Sequence, residues 1–332
     1  MSNEPLLQVN EIVVDFKTRH GNARVLDHVN LSLNHGEILG VVGESGCGKS
    51  MTALSIMGLV PNPPGKVTSG SIQLEGRELV GLSESELCRI RGKEISMIFQ
   101  EPMSSLNPVF TVGEQIAESV RLHENASPRA ARARAVEMLK AVEIPEAEAR
   151  ARAYPHQLSG GMRQRVMIAI ALACRPRVLI ADEPTTALDA TVQAQIFDLL
   201  QDLQRDTGTA IIMITHDMGA IAELADQVAV MYAGRVVEQG KVETVLGAPE
   251  HPYTKGLIDC VPHLEPNPTP ERVELLEIPG VVPALTQLNK GCAFAPRCTQ
   301  VMQGCDTSKP ELKASEAGHL SACWAVHGGL GS

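Results

Sequence analysis

Apolar residues recur along the chain in two patterns that are typical of β-strands. Three stretches alternate apolar and polar positions, as antiparallel strands with one buried face do. They are residues 6–15, 25–33 and 67–74. Three other stretches are short and almost continuously apolar, which is typical of strands buried on both faces of a parallel sheet. They are residues 37–42, 178–183 and 211–217.

In the middle of the chain the apolar spacing becomes helical. It predicts helices over residues 112–123 and 128–142, and a third around the apolar run at 166–174. A further helix over residues 191–206 carries its apolar side chains on one face and ends before Gly208. Strands and helices together predict the α/β fold class.

A cluster of prolines marks the predicted domain boundary. Four prolines lie within residues 261–272, as expected of a linker between two folded parts. The predicted boundary separates a large domain at residues 1–262 from a C-terminal extension at residues 263–332. A chain of 332 residues is long enough for one large domain and one small one.

Composition and charge exclude several classes of protein. The chain is 44% hydrophobic and 20% charged, which is ordinary for a globular protein. Its longest apolar run falls short of the roughly 18–20 residues that a membrane helix needs, so any membrane channel would be a separate chain. The N-terminal segment has neither a basic start nor an apolar core, and we predict no signal peptide. A net charge of −10 argues against nucleic acid as a partner.

Residues 43–50 fit the phosphate-binding pattern Gly-x-x-x-x-Gly-Lys-Ser, and we call them the phosphate loop. They are Gly43, Glu44, Ser45, Gly46, Cys47, Gly48, Lys49 and Ser50. Backbone N–H groups of such a loop surround a polyphosphate, while Lys49 reaches the β- and γ-phosphates and the Ser50 hydroxyl ligates Mg²⁺. A strand at residues 37–42 and a helix at residues 50–57 flank the loop, as this motif requires. We therefore predict a nucleotide site.

Three other groups are expected near the phosphate loop. Ser159 reads as a helix N-cap, and Gly160 and Gly161 beside it would let an anion approach, although an ordinary capped helix would look the same. Asp182 and Glu183 end one apolar strand, and His216 ends another. Ligands of parallel α/β sheets bind at the carboxyl ends of the strands. The acid pair, the histidine and the phosphate loop are therefore expected to converge.

With these motifs in this order, residues 7–261 closely resemble the ATP-binding subunits of ABC transporters. Residues 158–162, Leu-Ser-Gly-Gly-Met, match the family signature Leu-Ser-Gly-Gly-Gln except at Met162. The resemblance implies ATP and Mg²⁺ as ligands. It also implies an ABC-type P-loop NTPase core with an antiparallel β subdomain and a helical subdomain at about residues 101–174.

The resemblance also implies roles for the residues that end the strands. Asp182 would orient Mg²⁺ through water, Glu183 would polarise the attacking water, and His216 would hold the γ-phosphate. Gln100 would contact Mg²⁺ and move with the transporter. Phosphoryl transfer needs positioning and charge neutralisation more than covalent chemistry, which suits this set of residues.

Other matched positions concern the adenine and the second subunit. Phe16 would pack against adenine, although a lone Phe near a first strand is as often a core residue. Met51 replaces the usual Thr or Ser, so that only its backbone N–H can meet phosphate. The signature residues Ser159, Gly160 and Gly161 would close over the nucleotide of another ATPase subunit, and Asp189 lies in the loop that crosses between subunits. The partner subunit would be a related chain or a second copy.

Four of the eight cysteines lie close together in the C-terminal extension. They are Cys292, Cys298, Cys305 and Cys323. The segment is too poor in apolar residues to fold well alone, and without an export signal a four-thiolate metal site is favoured over disulfides. The gaps between the cysteines differ from the Cys-x-x-Cys pairs of common zinc fingers. Zinc and an iron–sulfur cluster both remain possible.

The extension and the His-Pro-Tyr-Thr segment at residues 251–254 resemble the dipeptide and oligopeptide importer branch of the family. Some members of that branch carry a [4Fe–4S] cluster on cysteines in this order, whereas for His251 we favour a turn role. The resemblance implies an ATPase, peripheral on the cytoplasmic face of the inner membrane, that powers peptide import. Its partners would be two permease subunits and a periplasmic or extracellular peptide-binding protein.

Two alternatives remain open at this point. Importers of nickel, glutathione and some sugars share the extension, so another cargo is possible. The chain could also be a soluble ABC ATPase that acts on nucleic acid or ribosomes, with the cysteines as a zinc module. A single ATPase unit and the acidic net charge favour the importer over this second alternative.

Overall fold

The computed structural model describes residues 4–19, 21–100, 105–185, 188–261, 277–286, 288, 290–315 and 319–328. The strands in chain order are β1 (Leu7–Thr18), β2 (Gly21–Leu33), β3 (Ile38–Val42), β4 (Gly65–Leu74), β5 (Arg77–Glu78), β6 (Ile95–Ile98), β7 (Val178–Asp182), β8 (Ala210–Thr215), β9 (Gln227–Tyr232), β10 (Arg235–Lys241), β11 (Lys313–Ala314) and β12 (Leu320–Ser321). The helices are α1 (Lys49–Ile56), α2 (Glu84–Ile90), α3 (Val112–Glu124), α4 (Pro128–Ala141), α5 (Ala147–Arg150), α6 (Gly160–Leu172), α7 (Ala190–Thr207), α8 (Met218–Leu224), α9 (Val242–Gly247) and α10 (Pro252–Asp259).

The central sheet has the order β11-β12-β10-β9-β3-β8-β7-β6 within the described residues. Its five strands from β9 to β6 run parallel, with β3 between β9 and β8. Every residue of β3, β7 and β8 is buried, which is why these strands read as continuous apolar runs. The carboxyl ends of β3, β7 and β8 therefore lie at one edge of the sheet, as predicted.

The two faces of the central sheet bury different layers. Leu179 and Ala181 of β7 pack with the helices, whereas Val178 and Ile180 pack with β1, β2, β4 and α1. This alternation follows from the period of two along a strand. The second, antiparallel sheet has the order β2-β1-β4-β5, which confirms the three predicted alternating strands.

The helical segment follows β6 and is bounded by side-chain caps. Thr111 and Glu114 form a capping box at the start of α3, and Ser127 caps α4. Ser159 caps α6, as the sequence predicted. Helix α7 begins after Asp189 and ends at Gly208, whose φ of 69° is the left-handed conformation expected of a terminating glycine.

The C-terminal extension joins the central sheet at its edge. Strand β12 pairs antiparallel with β10, with Glu238 opposite Ser321. A short 3₁₀ turn, Ala295–Arg297, lies between two of the cysteines. The predicted proline linker, apart from Val261, lies outside the described residues. Within the part of the chain that the structure describes, no helix has the length and apolarity to cross a membrane.

Candidate functional site: the phosphate loop and its surroundings

The phosphate loop lies between β3 and α1, at the carboxyl edge of the central sheet. Two of its glycines are required by the backbone. Gly43 has φ of 150°, and a Cβ there would lie 2.2 Å from the carbonyl oxygen of Met231. Gly48 has φ of 107°, and a Cβ there would lie 2.8 Å from the side chain of Leu26. Larger residues would therefore distort the loop.

Lys49 lies inside the loop and is almost fully buried. Its ammonium donates hydrogen bonds to the carbonyl oxygens of Gly43 at 2.7 Å and Glu44 at 3.1 Å. The positive charge of Lys49 is thus held at the start of α1. The dipole of the helix also favours an anion at this end.

The structure brings the first acid of the pair to the phosphate loop. The Ser50 hydroxyl donates a hydrogen bond of 3.1 Å to Oδ1 of Asp182. Burial raises the pKa of Asp182, the Ser50 hydrogen bond opposes this rise, and the neighbouring charge of Glu183 adds to it. A hydroxyl and a carboxylate at this distance are the hard oxygen ligands that Mg²⁺ prefers.

Gln100, Glu183 and His216 lie together beside this pair. The side-chain amide of Gln100 donates a hydrogen bond of 2.8 Å to Oε2 of Glu183, and Nδ1 of His216 lies 3.6 Å from Oε1 of Glu183. Glu183 has φ of 46°, which is rare for a residue with a side chain, and its N–H donates to the carbonyl of Ile214. Strained backbone of this kind concentrates at functional sites.

Ser159, Gly160 and Gly161 lie at the start of α6. In the described part of the chain no hydrogen bond joins them to the phosphate loop. A Cβ at Gly160 would meet nothing within 4 Å, so this end of the helix is open. A Cβ at Gly161 would lie 3.4 Å from the side chain of Val192. The backbone N–H of Val192 donates a hydrogen bond to the Asp189 carboxylate.

The remaining predicted residues of the nucleotide site pack into the protein. Phe16 of β1 is half-buried, and its ring covers Gly65 of β4, where a Cβ would lie 2.6 Å away. Met51 of α1 packs against the core between the two sheets. A role for either residue in nucleotide binding stays a prediction.

The four cysteines of the extension line one small cavity together with His251 and Trp324. The backbone N–H of Cys292 donates to the carbonyl of Cys305 at 2.7 Å. Burial raises the pKa of Cys292 to about 11 and also raises those of Cys298 and Cys323. The four thiols therefore border one cavity in the folded chain, and a metal bound by them stays a prediction.

His251 has a local structural role, as the sequence analysis favoured. It is the N-cap of α10, and its Nδ1 accepts a hydrogen bond of 3.1 Å from the N–H of Tyr253. Burial lowers the pKa of His251 to about 3, so the ring is neutral at physiological pH.

Sequence reasoning missed a buried polar group that attaches the extension to the core. Nε2 of His319 lies 2.7 Å from Oε1 of Glu238 and 3.5 Å from Oε2 of Glu250. The Glu238 carboxylate also accepts the N–H groups of Glu250 and His251, so its own hydrogen bonds are satisfied. Gly240 makes room for the imidazole, because a Cβ there would lie 2.4 Å from Cβ of His319. Glu238 lies on β10, Glu250 precedes α10 and His319 precedes β12, and they have no shared sequence pattern.

Comparison with known proteins places the chain among transport ATPases. The family model for the ABC transporter matches residues 26–186. The model for the oligopeptide/dipeptide transporter, C-terminal region, matches residues 237–305.

Curated relatives match the chain over its length. It is 52% identical to the oligopeptide transport ATP-binding protein OppD of Haemophilus influenzae, over 96% of this chain and 97% of the relative. It is 49% identical to the oligopeptide transport ATP-binding protein AppD of Bacillus subtilis, over 96% of each chain.

A solved structure shares the nucleotide-binding part of the fold. The ATP-binding cassette MJ0796, solved as a dimer in a post-hydrolysis state with ADP and Pi, is 31% identical with a TM-score of 0.65. The match covers 71% of this chain and 98% of that one. The chain thus belongs to the ABC transporter family, among the ATP-binding proteins of its oligopeptide-transport branch.

Proposed function

We propose that the chain binds and hydrolyses ATP to power the import of dipeptides and oligopeptides through a separate membrane permease. The observation that carries the ATPase proposal is the contact between the Ser50 hydroxyl and the Asp182 carboxylate. It joins the phosphate loop to the acid pair, so that a magnesium nucleotide and a catalytic carboxylate can share one edge of the sheet. The peptide cargo is supported by the relatives, which are oligopeptide transport proteins.

We assign the residues of the site by their positions. The loop N–H groups and Lys49 would bind the phosphates, while Ser50 and Asp182 would hold Mg²⁺, with Asp182 acting through water. Bound Mg²⁺ supplies positive charge next to the phosphate oxygens. Glu183 would accept the proton of the attacking water, and Gln100 keeps its carboxylate in place. His216 is 68% exposed, which leaves its imidazole available to a γ-phosphate.

We further propose that two ATPase subunits form each complete site. The signature residues Ser159 and Gly160 lie at an open helix end with no hydrogen bond to the chain's own phosphate loop in the described structure. Ser159 and Gly160 would close over a nucleotide held by a second subunit. Asp189 would lie in the loop that crosses between the two subunits. The dimeric state of the MJ0796 structure supports this arrangement.

Exposed apolar side chains next to Gln100 and just before α3 support a permease partner. Phe99 is 38% exposed, Phe110 is 51% exposed and Val109 is 71% exposed. Large apolar side chains that stay exposed can form part of an interaction site. We propose that two permease subunits dock here, which places the chain on the cytoplasmic face of the inner membrane. A peptide-binding protein on the other side would deliver the cargo.

We propose the same domain division as the sequence analysis. The ATPase domain spans residues 1–262 with its helical subdomain at about 101–174, and the extension spans residues 263–332. Strand β12 of the extension pairs with β10 of the ATPase domain, which supports an extension that docks on that domain.

For the four cysteines we propose a [4Fe–4S] cluster in preference to zinc. In a tetrahedral zinc site with bonds of about 2.3 Å, the thiolates lie ~3.8 Å apart. Among the described residues, the one set of three potential ligand atoms within 4.8 Å of one another is Glu238, Glu250 and His319. No three of the sulfurs of Cys292, Cys298, Cys305 and Cys323 therefore lie within 4.8 Å of one another, as the ligands of a single zinc ion would. Thiolates around a shared cavity suit a larger cluster.

Transport by the assembled complex tests the proposed function. The chain is reconstituted in liposomes with its permease, its partner ATPase and the peptide-binding protein. Uptake of a labelled tripeptide is compared with uptake of nickel, glutathione and a disaccharide. We expect ATP-dependent uptake of the peptide alone. Uptake of another cargo would overturn the peptide proposal, and ATP hydrolysis stimulated by ribosomes or RNA would overturn the transport proposal.

A further inference from the structure

Arg297 of the C-terminal extension contacts Glu44 of the phosphate loop. Nη1 donates to Oε2 of Glu44 at 2.6 Å, and Nη2 donates to Oε1 at 3.0 Å. The other three N–H groups donate to the carbonyls of Pro279 and Ile278 and to the Tyr232 hydroxyl. All five N–H groups of the guanidinium are therefore used, which fixes its orientation.

The ion pair is largely withdrawn from water. The side chain of Arg297 is 3% exposed and that of Glu44 is 29% exposed. The hydrogen bonds to Glu44 raise the pKa of Arg297 further, so the guanidinium is always charged. The rings of Tyr232 and Phe294 lie 5.9 Å from its central carbon. A buried cation of this kind depends on its carboxylate partner, because loss of one partner leaves the other unpaired.

Glu44 is held at its backbone as well. Its N–H donates a hydrogen bond of 2.8 Å to the hydroxyl of Tyr253, a fully buried residue of α10. Its carbonyl oxygen accepts from the ammonium of Lys49 at 3.1 Å and from the N–H of Cys47 at 3.3 Å. The carbonyl that contacts Lys49 thus belongs to a residue whose side chain and N–H are both held from outside the loop.

We infer that Arg297 is a positioning residue of the nucleotide site, acting through Glu44. By fixing Glu44 it sets the position of the carbonyl that holds Lys49, and hence the shape of the loop that receives the phosphates. Among the described hydrogen bonds, Glu44 is the one residue of the phosphate loop that Arg297 contacts. This inference rests on the proposed role of the phosphate loop in binding ATP.

The same contact links the cysteine cluster to the nucleotide site. Arg297 ends the short turn Ala295–Arg297, which Cys292 precedes and Cys298 follows directly. The N–H groups of Ala295 and Cys298 close this turn by donating to the carbonyls of Cys292 and Ala295. A change in how the extension is folded is therefore transmitted to Glu44 through one rigid side chain. Such coupling is reciprocal in its free energy.

Titration of the purified full-length chain with MgATP tests the inference. We expect Arg297→Ala to weaken MgATP binding by roughly tenfold, a typical size for coupling between two sites. In the assembled transporter the same variant should raise KM for ATP by a similar factor while kcat at saturating ATP changes less than about twofold. Arg297→Lys should restore part of the affinity, because the charge is kept while the paired hydrogen bonds are lost.

A second variant shows whether Arg297 acts through Glu44. If it does, Glu44→Ala weakens binding to a similar degree, and the double variant is no weaker than either single one. Effects that multiply in the double variant would overturn the inference. The Glu44→Ala arm also keeps the test valid if Arg297→Ala fails to fold, since Glu44 is the more exposed partner.

Lys309→Ala is the matched control. It removes another ion pair between the extension and the core, with Asp27 at 2.7 Å, that does not contact the phosphate loop. We expect this variant to bind MgATP normally. Equal weakening by Lys309→Ala, or unchanged affinity in Arg297→Ala, would overturn the positioning role. If Lys49→Ala leaves MgATP binding intact, the proposed loop function has failed instead.

Discussion

Replacement of His319 by alanine should release the C-terminal extension from the core. Glu238 and His319 are both fully buried at their side chains, and Nε2 of the imidazole lies 2.7 Å from Glu238 and 3.5 Å from Glu250. After the change, the Glu238 carboxylate keeps two backbone N–H groups but loses its contact with the imidazole. Its Oε1 would then face the cavity that the imidazole leaves.

The magnitude follows from the burial of the pair. Removing one partner of a buried hydrogen bond costs about 1–3 kcal/mol. The cost falls on the pairing of β12 with β10, and local opening of that edge becomes roughly 5- to 150-fold more frequent.

Amide hydrogen exchange measures this opening. The N–H of Ala322 donates to the carbonyl of Val237 at 2.8 Å, next to the affected pair. Its exchange should accelerate by the factor above in His319→Ala, while amides of β7 keep their protection. Lys313→Ala is the control, since its ion pair with Glu311 is more than half exposed on both sides and contributes little. Exchange at Ala322 within threefold of the unchanged protein would refute the reasoning.

Three further predictions follow from the site and the extension. Gly160→Asp should leave MgATP binding by a dilute single subunit unchanged. It should reduce ATP turnover by the assembled transporter at least about tenfold, because the new carboxylate would face another subunit's γ-phosphate. Turnover equal to that of the unchanged transporter would contradict the two-subunit site. Protein prepared anaerobically should contain iron and sulfide in equal amounts, and the double variant Cys298→Ser, Cys305→Ser should contain neither. One zinc per chain would contradict the cluster, as would protein with neither iron nor zinc and four reactive thiols. Burial alone would raise the pKa of Asp27, but Lys309 with two arginines outweighs it and lowers the pKa. The stability that Asp27 contributes is therefore present above its unfolded pKa and is lost as the pH falls through the lower folded pKa. On acidification, Lys309→Ala should lose thermal stability at a higher pH than the unchanged chain. Identical profiles of thermal stability against pH would contradict this.

The central sheet could be predicted from the sequence because its buried strands are runs of consecutive apolar residues. β3, β7 and β8 have no exposed residue, so local composition alone marked them. The Ser159 cap was an equally local signal, since an N-cap bonds the backbone within a few residues. The phosphate loop and the acid pair could be placed together because parallel strands share a carboxyl edge.

The contacts that sequence reasoning missed join distant positions. Arg297 meets Glu44 across 253 residues, and His319 meets Glu238 across 81 residues. Each pairing depends on how the extension docks on the sheet, which no periodicity of either segment encodes. No local pattern marks the positive φ of Glu183 either, and its N–H donates to the carbonyl of Ile214 on β8.

Glu183→Gln in the reconstituted transporter tests the central claim most directly. The amide cannot accept the proton of the attacking water, but it leaves Lys49 and the phosphate loop intact. We expect normal MgATP binding, ATP hydrolysis reduced at least about 100-fold, and peptide uptake lost to the same extent. Glu223→Gln, an exposed change on α8, should match the unchanged protein. Near-normal hydrolysis in Glu183→Gln, or peptide uptake that continues without hydrolysis, would contradict the account.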